Sequence, residues 1–425
     1  MNPRQKPVLS SVSNWVASLN VVQVGRHFAF AVVAGILGAL ASISLCLVVN
    51  GVYSLFLAHR FLLFLLPITG IISLVVYRLC ALPLTLSTEQ VVAQIQNNRP
   101  VSGKLFLAIL LGTGLTIVGG GSVGKEAASL QIGASLGQIS AKPFKLQSLY
   151  KNRQRDCTGF AAACGMASCF SALFFAPLGS AVFVLEMSRF DKLILHRMPA
   201  ILIGCFVGFA ISKTVGIGDY IPAITCPQFS PYLLVICVVV GIACGIFGTI
   251  FARGIKGIRA LLAKKVHNPY ICVIAGGLIF AALVLCFDWF AFTGTGSTLL
   301  LDALAGEGAS ADFAIKLVLT MLCLGFSFKG GEIMPMFTIG SLLGLSCAFV
   351  LSSHESAFAA ALGLVAFFAA ASRCPLAAVL IGGETLGWLI VPYLVVSIAC
   401  AFALRVLFDK ASVSLVKRFG TLSES

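Results

Sequence analysis

Residues 119–133 read GGGSVGKEAASLQIG and place adjacent Lys125 and Glu126 beside four glycines, between two strongly apolar segments. A charged side chain at membrane depth costs about 2.5–3.5 kcal/mol on insertion scales, so such a residue is a functional candidate by default. The glycines before the pair and the helix formers after it predict a helix that begins here. A helix start gathers unpaired backbone N–H groups and the positive end of the macrodipole, which together favour an anion. A carboxylate competing with an anion for that place would act as a gate.

The rest of the chain supports membrane depth. Mean hydropathy is +1.02, and only 10% of the 425 residues are charged. No soluble domain of this size needs so little polar surface, so the sequence reads as a polytopic membrane protein. Apolar segments fall at 28–50, 61–77, 105–118, 158–185, 199–216, 233–252, 270–294, 315–328, 336–350, 357–383 and 386–408. Several are shorter than the roughly 20 residues of an upright span, and others are long enough for two helices. Uneven lengths with internal glycines predict tilted, broken and re-entrant helices, which survive at membrane depth only where protein or water satisfies the backbone. The 42 glycines favour close helix packing, with Gly241 and Gly245 forming one small-xxx-small pair.

The net charge of +14 comes from basic clusters at the N-terminus, at 142–155, at 253–265 and near the C-terminus. The positive-inside rule explains these clusters as topology rather than nucleic-acid binding and predicts both termini in the cytoplasm. The fifteen cysteines lie mostly in apolar segments without paired metal spacing and read as small buried hydrophobes. The first long apolar run starts near Phe28 with no cleavage pattern after it, so no removable signal is expected.

The chain also repeats its punctuation. APLGSAVFVLE (176–186) and CPLAAVLIGGE (374–384) share Pro-Leu, an apolar run and a glutamate nine positions after the proline. Upstream of each lies a glycine-flanked glutamate, Glu126 in VGKEAASLQIGASLG and Glu332 in KGGEIMPMFTIGSLLG. The offset is 206 for these glutamates (332 − 126) and 198 for the prolines (375 − 177). Repeated halves with matching interrupted helices are a sequence pointer to a transporter's binding site.

In these motifs the chain resembles the CLC family of chloride channels and anion/proton antiporters. GGGSVGKEAASLQIG resembles that family's G(K/R)EGP helix start and GGEIMP its GxFxP start. FFAPLGSAVFVLE and ASRCPLAAVLIGGE resemble the Pro-Leu helices that follow them. The resemblance implies an all-α polytopic membrane protein of two inverted-topology repeats of tilted and re-entrant helices, assembled as a homodimer. It divides the chain into a cytosolic segment (1–27), a transmembrane anion-transport domain (28–415, halves about 28–216 and 233–415) and a cytosolic tail (416–425) without the regulatory domain of some members. Glu126 falls on the family's gating glutamate. Ionised, it would occupy the anion site at a helix start; protonated, it would be neutral and free to leave. The residue readings that compete with a gate are a helix cap and a pairing with Lys125.

Departures from the pattern are as informative. Where the family has its first anion-site motif this chain reads Thr85-Leu86-Ser87-Thr88-Glu89. The expected serine falls on Leu86, or on Ser87 with a one-residue slip. Ser87 and Thr88 suit either anion-binding hydroxyls or an ordinary N-cap before EQVVAQI. Val413 replaces the tyrosine of the last helix, Met187 replaces the internal proton glutamate, and GKEGP has become GKEAA. Glu332 within KGGE-apolar-x-P resembles the fluoride-exporting branch; it reads either as a proton acceptor or as the partner of Lys329 in a salt bridge. That branch's asparagine-rich first motif is missing from TLSTE.

The expectation is therefore a multi-pass protein of the bacterial inner membrane that exchanges a small inorganic anion, by default chloride, for protons. Fluoride/proton antiport and a passive chloride channel are the competing readings. Glu126 and Glu332 are the gating and proton candidates. Gly124, Lys125, Gly331, Ile333, Met334, Leu86, Ser87, Thr88 and Val413 are the anion-site candidates. A bound halide is expected, with no cofactor, metal, nucleic-acid or nucleotide partner. Gly119, Gly124 and Lys125 fit a P-loop spacing, but Glu126 stands where Mg²⁺ needs a hydroxyl. An intramembrane enzyme lacks its motifs among five histidines. A cation-coupled organic-solute transporter also fits broken inverted repeats.

Overall fold

The computed structural model describes residues 20–147, 157–266 and 268–420, with the side chains of 193 and 413–420 outside the description. The side chain of Val413 and most of the 142–155 basic cluster thus lie outside the described residues.

The first half runs α1 (Val21–Ala58), a 3-10 turn (Arg60–Leu65), α2 (Leu66–Leu79), α3 (Thr88–Gln96), α4 (Leu105–Val118), α5 (Glu126–Ala141), α6 (Thr158–Phe174), α7 (Pro177–Met187), α8 (Lys192–Leu195) and α9 (Met198–Val215). The second half repeats the rhythm as α10 (Pro231–Lys265), α11 (Pro269–Cys286), α12 (Ser297–Leu304), α13 (Asp312–Gly325), α14 (Ile333–Val350), α15 (Ser356–Ser372), α16 (Pro375–Leu386) and α17 (Val391–Gly420). Among the described residues, seven helical stretches are long and apolar enough to cross a membrane. The 14-residue helices α4 and α13 rise only about 21 Å, short of a hydrocarbon core of about 30 Å, so they end inside it.

The apolar segments 158–185 and 357–383 each divide in two. The breaks fall at Phe175 (φ 57°) and Arg373 (φ 63°), both left-handed, with a proline opening the next helix. α1 begins at Val21, inside the segment expected to precede the membrane domain. Its early polar residues are absorbed by the fold, since His27 and Gln23 are both buried.

The halves meet at one antiparallel bridge. Gly124 N–H donates to Gly331 O (2.7 Å) and Gly331 N–H donates to Gly124 O (2.6 Å). Reciprocal pairing of equivalent residues is what inverted repeats produce on their common axis. It also corrects the alignment of the halves. The bridge sets an offset of 207 (331 − 124), so Glu126 corresponds to Ile333, and Glu332 corresponds to Lys125.

A second reciprocal contact lies at the Pro-Leu helices. Glu186, at the end of α7, accepts from Leu376 N–H (3.1 Å) and Ala377 N–H (2.7 Å) at the start of α16. Glu384, near the end of α16, accepts from Leu178 N–H (2.9 Å) and Gly179 N–H (2.8 Å) at the start of α7. Each carboxylate satisfies orphan donors of the other half and sits at the favourable end of its dipole.

Around these contacts, α5, α6, α14 and α15 are buried on nearly every side; α6, α14 and α15 are apolar nearly all round, as such burial requires. α1, α2, α10 and α11 instead show rows of exposed leucine, isoleucine, valine and phenylalanine, surfaces suited to an apolar surrounding such as lipid. The central pairs are tight because glycines face each other. A Cβ on Gly133 would collide with Gly165 O, and one on Gly340 with Gly363 O. The GIACG pair also packs closely: a Cβ on Gly241 would lie 2.6 Å from Ser397 O on α17. Most of the cysteines are buried.

Two outcomes test this packing. Gly340→Val forces a branched side chain against Gly363 O and should cost about 3 kcal/mol or more, seen as aggregation or a lowered melting temperature in detergent. Gly25→Ala, with nothing within 4 Å of the new Cβ, should leave stability unchanged or slightly raised. Glu384→Ala should cost about 1–3 kcal/mol by stranding two helix-start donors. Adding Glu186→Ala in a double-mutant cycle should then show whether the two caps are coupled.

Candidate functional site

The loop from Gly119 to Lys125 delivers the chain into the start of α5 at the centre of the molecule. Gly120 takes a positive φ of 77°, with the Phe56 ring where a side chain would stand. Glu126 is the first residue of α5 and is fully buried. Its carboxylate turns across the bridge to the other half, where Oε2 accepts from Met334 N–H (3.1 Å) in the first turn of α14. Oε1 is buried without a hydrogen-bond partner. The Glu126 carboxylate thus occupies the N-terminus of the opposite half's helix, a place suited to an anion.

The bridge changes the expected donor set. The N–H groups of Gly124 and Gly331 bond each other's carbonyls and are not free for an anion. Of the four expected backbone donors, Met334 N–H is the one in contact with the Glu126 carboxylate, and Ile333 is buried beside it.

Lys125 does not pair with Glu126. Its ammonium forms a buried salt bridge with Asp219 (2.8 Å) and donates to Asn50 Oδ1 (3.4 Å). Asp219 comes from the connector between the halves and is held by its own N–H on Leu173 O (2.7 Å). This partner neutralises the lysine, which had been expected to serve the anion, and leaves Glu126 without an adjacent ion pair.

A vestibule of about 610 Å³ leads to the same centre. Its walls include Leu86, Ser87, Thr88, Ala127 and Glu332, together with the basic residues Lys256, Arg259, Lys329, Arg373 and Arg405. Ser87 is the N-cap of α3 in a capping box with Gln90 (Gln90 N–H to Ser87 Oγ, 3.4 Å; Ser87 N–H to Gln90 Oε1, 3.2 Å). The Thr88 hydroxyl accepts from Gln131 Nε2 (2.8 Å). The N-cap reading thus accounts for Ser87, and Leu86 presents an apolar side chain to the vestibule.

Glu332 reaches this space without Lys329. The Lys329 ammonium donates to Leu84 O and lies 4.1 Å from the centre of the Tyr77 ring. Among the described residues, no salt bridge to Glu332 is formed.

Sequence reasoning passed over three residues here. Gln131 and Asp219 carried no motif. Lys316 lay in the apolar segment 315–328, where a lone lysine was itself the signal. It is fully buried on α13, and its Nζ donates to Phe292 O (3.0 Å) and Gly294 O (2.9 Å).

Comparison with known proteins agrees with this architecture. The family described as "Voltage gated chloride channel" matches residues 68–406. A "Chloride/fluoride channel protein" of Pseudomonas syringae pv. tomato is 26% identical over 416 residues, covering 94% of this chain and 85% of that protein. A CLC-type fluoride/proton antiporter superposes with a TM-score of 0.81 at 24% identity, over 89% of this chain and 95% of the other. A slow cyanobacterial Cl⁻/H⁺ antiporter gives a TM-score of 0.76 at 21% identity, over 89% and 94%. A eukaryotic CLC transporter gives 0.69 at 20%, over 92% and 73%. The chain belongs to the CLC family of voltage gated chloride channels, multi-pass membrane proteins that carry anions.

Proposed function

We propose that this chain exchanges a small inorganic anion for protons across a bacterial inner membrane, with Glu126 as the gate. The supporting observation is the Glu126 carboxylate held by Met334 N–H at the start of α14. Ionised, the carboxylate closes that helix start. An arriving anion competes for the same N–H and dipole. Protonated, the carboxyl loses the charge that holds it there and yields the place. One group that alternates between a proton and an anion site suffices for exchange.

Glu332 serves in this reading as a proton acceptor facing the vestibule, where Met187 has replaced the usual internal glutamate. Its lack of an ion pair supports that role. The vestibule's walls come partly from α10, whose C-terminal end carries the 253–265 basic cluster. The positive-inside rule then makes this the cytoplasmic face, with both termini on it. The basic lining concentrates anions at the entrance. A homodimer embedded in the bilayer completes the assembly, and no cofactor takes part.

Chloride is the default anion. Fluoride is the second reading, favoured by Glu332 within KGGEIMP, by the relative named for both halides and by the fluoride/proton antiporter of similar fold. Purified protein in liposomes, followed with chloride, fluoride and proton electrodes, decides. Uphill proton movement driven by an anion gradient supports exchange. Anion flux without protons leaves a channel, and no flux of either halide overturns the anion assignment.

Glu126→Gln should retain or raise anion flux while proton movement falls roughly a hundredfold or more; unchanged coupling would make Glu126 a cap alone. Glu332→Gln should slow proton movement about tenfold or more with the protein still folded. A protein that no longer folds would instead mark Glu332 as structural.

A further inference from the structure

Three arginines converge on one carboxylate where the vestibule wall meets α17. Arg253 Nη2 donates to Asp409 Oδ1 (3.1 Å), while Arg373 Nη2 (2.7 Å) and Arg405 Nε (3.2 Å) both donate to Oδ2. Among the described residues, no other carboxylate pairs with them. Three positive charges therefore meet one negative charge, and two are left uncompensated. The fold brings them together from separate elements: Arg253 from α10, Arg373 from the left-handed break between α15 and α16, and Arg405 from α17.

Arg405 shows that the cluster is incomplete. Only 4% of the residue is exposed, and its five N–H donors cannot be given up by deprotonation. Its Nε is taken by Asp409, but its Nη1 is buried and has no hydrogen-bond partner among the described residues. A charged donor is among the costliest groups to leave buried and unpaired.

Arg373 and Arg405 both line the vestibule, whose volume is about 610 Å³. That space is of the size of small-molecule sites and far larger than one halide fills. The carboxylates of its wall are engaged elsewhere: Glu89 pairs with Lys256, and Glu332 has Arg259 nearby. A guanidinium offers parallel N–H donors that match two oxygens of one oxyanion. A halide is a point acceptor with a single charge. Two uncompensated guanidinium charges side by side call for several oxygens and about two negative charges on one group, which a phosphate group supplies.

We propose that Arg373 and Arg405 form a binding site for a phosphate group in the vestibule wall, apart from the helix starts at Glu126 and Met334, and that a group held there slows transport by repelling the incoming anion. Asp409 aligns the two guanidiniums, and Arg253 adds its charge through the same carboxylate. The phosphate group belongs to a soluble phosphate or to a lipid headgroup. Binding does not depend on Glu126 being the gate; the slowing rests on the anion transport proposed above.

Calorimetry with inorganic phosphate on the purified protein tests the site. Arg373→Gln should weaken phosphate binding about tenfold or more. Lys256→Gln, which removes a vestibule charge outside the cluster, should weaken it about twofold or less. No binding to the unaltered protein, or equal weakening by both variants, overturns the site and leaves the arginines as a diffuse field. Tungstate-soaked crystals of the unaltered protein keep the question answerable if the arginine variant does not fold. Anomalous density touching both guanidiniums supports the site, and its absence there overturns it. Repeating the titration in nanodiscs that contain phosphatidic acid separates the sources: competition by the lipid assigns the site to a headgroup, and undiminished phosphate binding assigns it to a soluble phosphate. In liposomes, phosphate should slow halide flux severalfold through the unaltered protein and not through Arg373→Gln; undiminished flux with phosphate bound overturns the slowing. A protein that binds phosphate yet carries no halide overturns the transport assignment instead, so the two readings fail separately.

Discussion

Backbone groups at membrane depth have no water to bond, and at Gly124 and Gly331 they bond each other. That reciprocal pair holds two helix starts face to face, and the geometry of the centre follows from it. A Cβ on Gly331 would lie 2.7 Å from Ala127 N, and one on Gly124 would collide with Glu126 Oε2. Glycine at both positions therefore brings the strands of the bridge together and admits the carboxylate. The bridge consumes its own donors, and Glu126 bonds the N–H of Met334, three residues beyond Gly331. Lys125, one residue earlier, points away into the connector between the halves.

Charge is then distributed with little redundancy. Lys125 and Asp219 neutralise each other in a buried pair, and breaking such a pair typically costs about 3–5 kcal/mol. The pair ties the loop before α5 to the connector between the halves. From the other half, the Glu126 carboxylate takes the N–H of Met334. The basic side chains of the vestibule are also partly committed. Lys256 pairs with Glu89, and Arg373 and Arg405 share Asp409. They shape the field at the entrance.

The membrane class, the broken helices and the paired Pro-Leu motifs were legible because each leaves a local mark in composition or punctuation. Glu126 was legible because a charge among glycines at membrane depth is costly. The alignment of the halves was not: the two visible glutamates suggested an offset of 206, and only the bridge shows that Glu126 corresponds to Ile333. The partner of Lys125 was hidden because Asp219 lies more than ninety residues away in an unremarkable connector. Ser87 illustrates a different limit, since a hydroxyl before a helix has one sequence signature for capping and for binding. Lys316 was visible as a lone charge, but its surroundings come from three separate segments.

The crossed caps of Glu186 and Glu384 bear on how the protein is made. Neither half contains the groups that finish its own Pro-Leu helix. Glu186 leaves the ribosome 190 residues before Leu376, its first partner in the chain. At ordinary synthesis rates that wait is about 10–40 s. Through that interval the first half sits in the bilayer with a glutamate and the uncapped start of α7 exposed to whatever the insertion machinery or the lipid interface offers. Assembly of the second half supplies both partners together, because each half holds the carboxylate that caps the other's Pro-Leu helix.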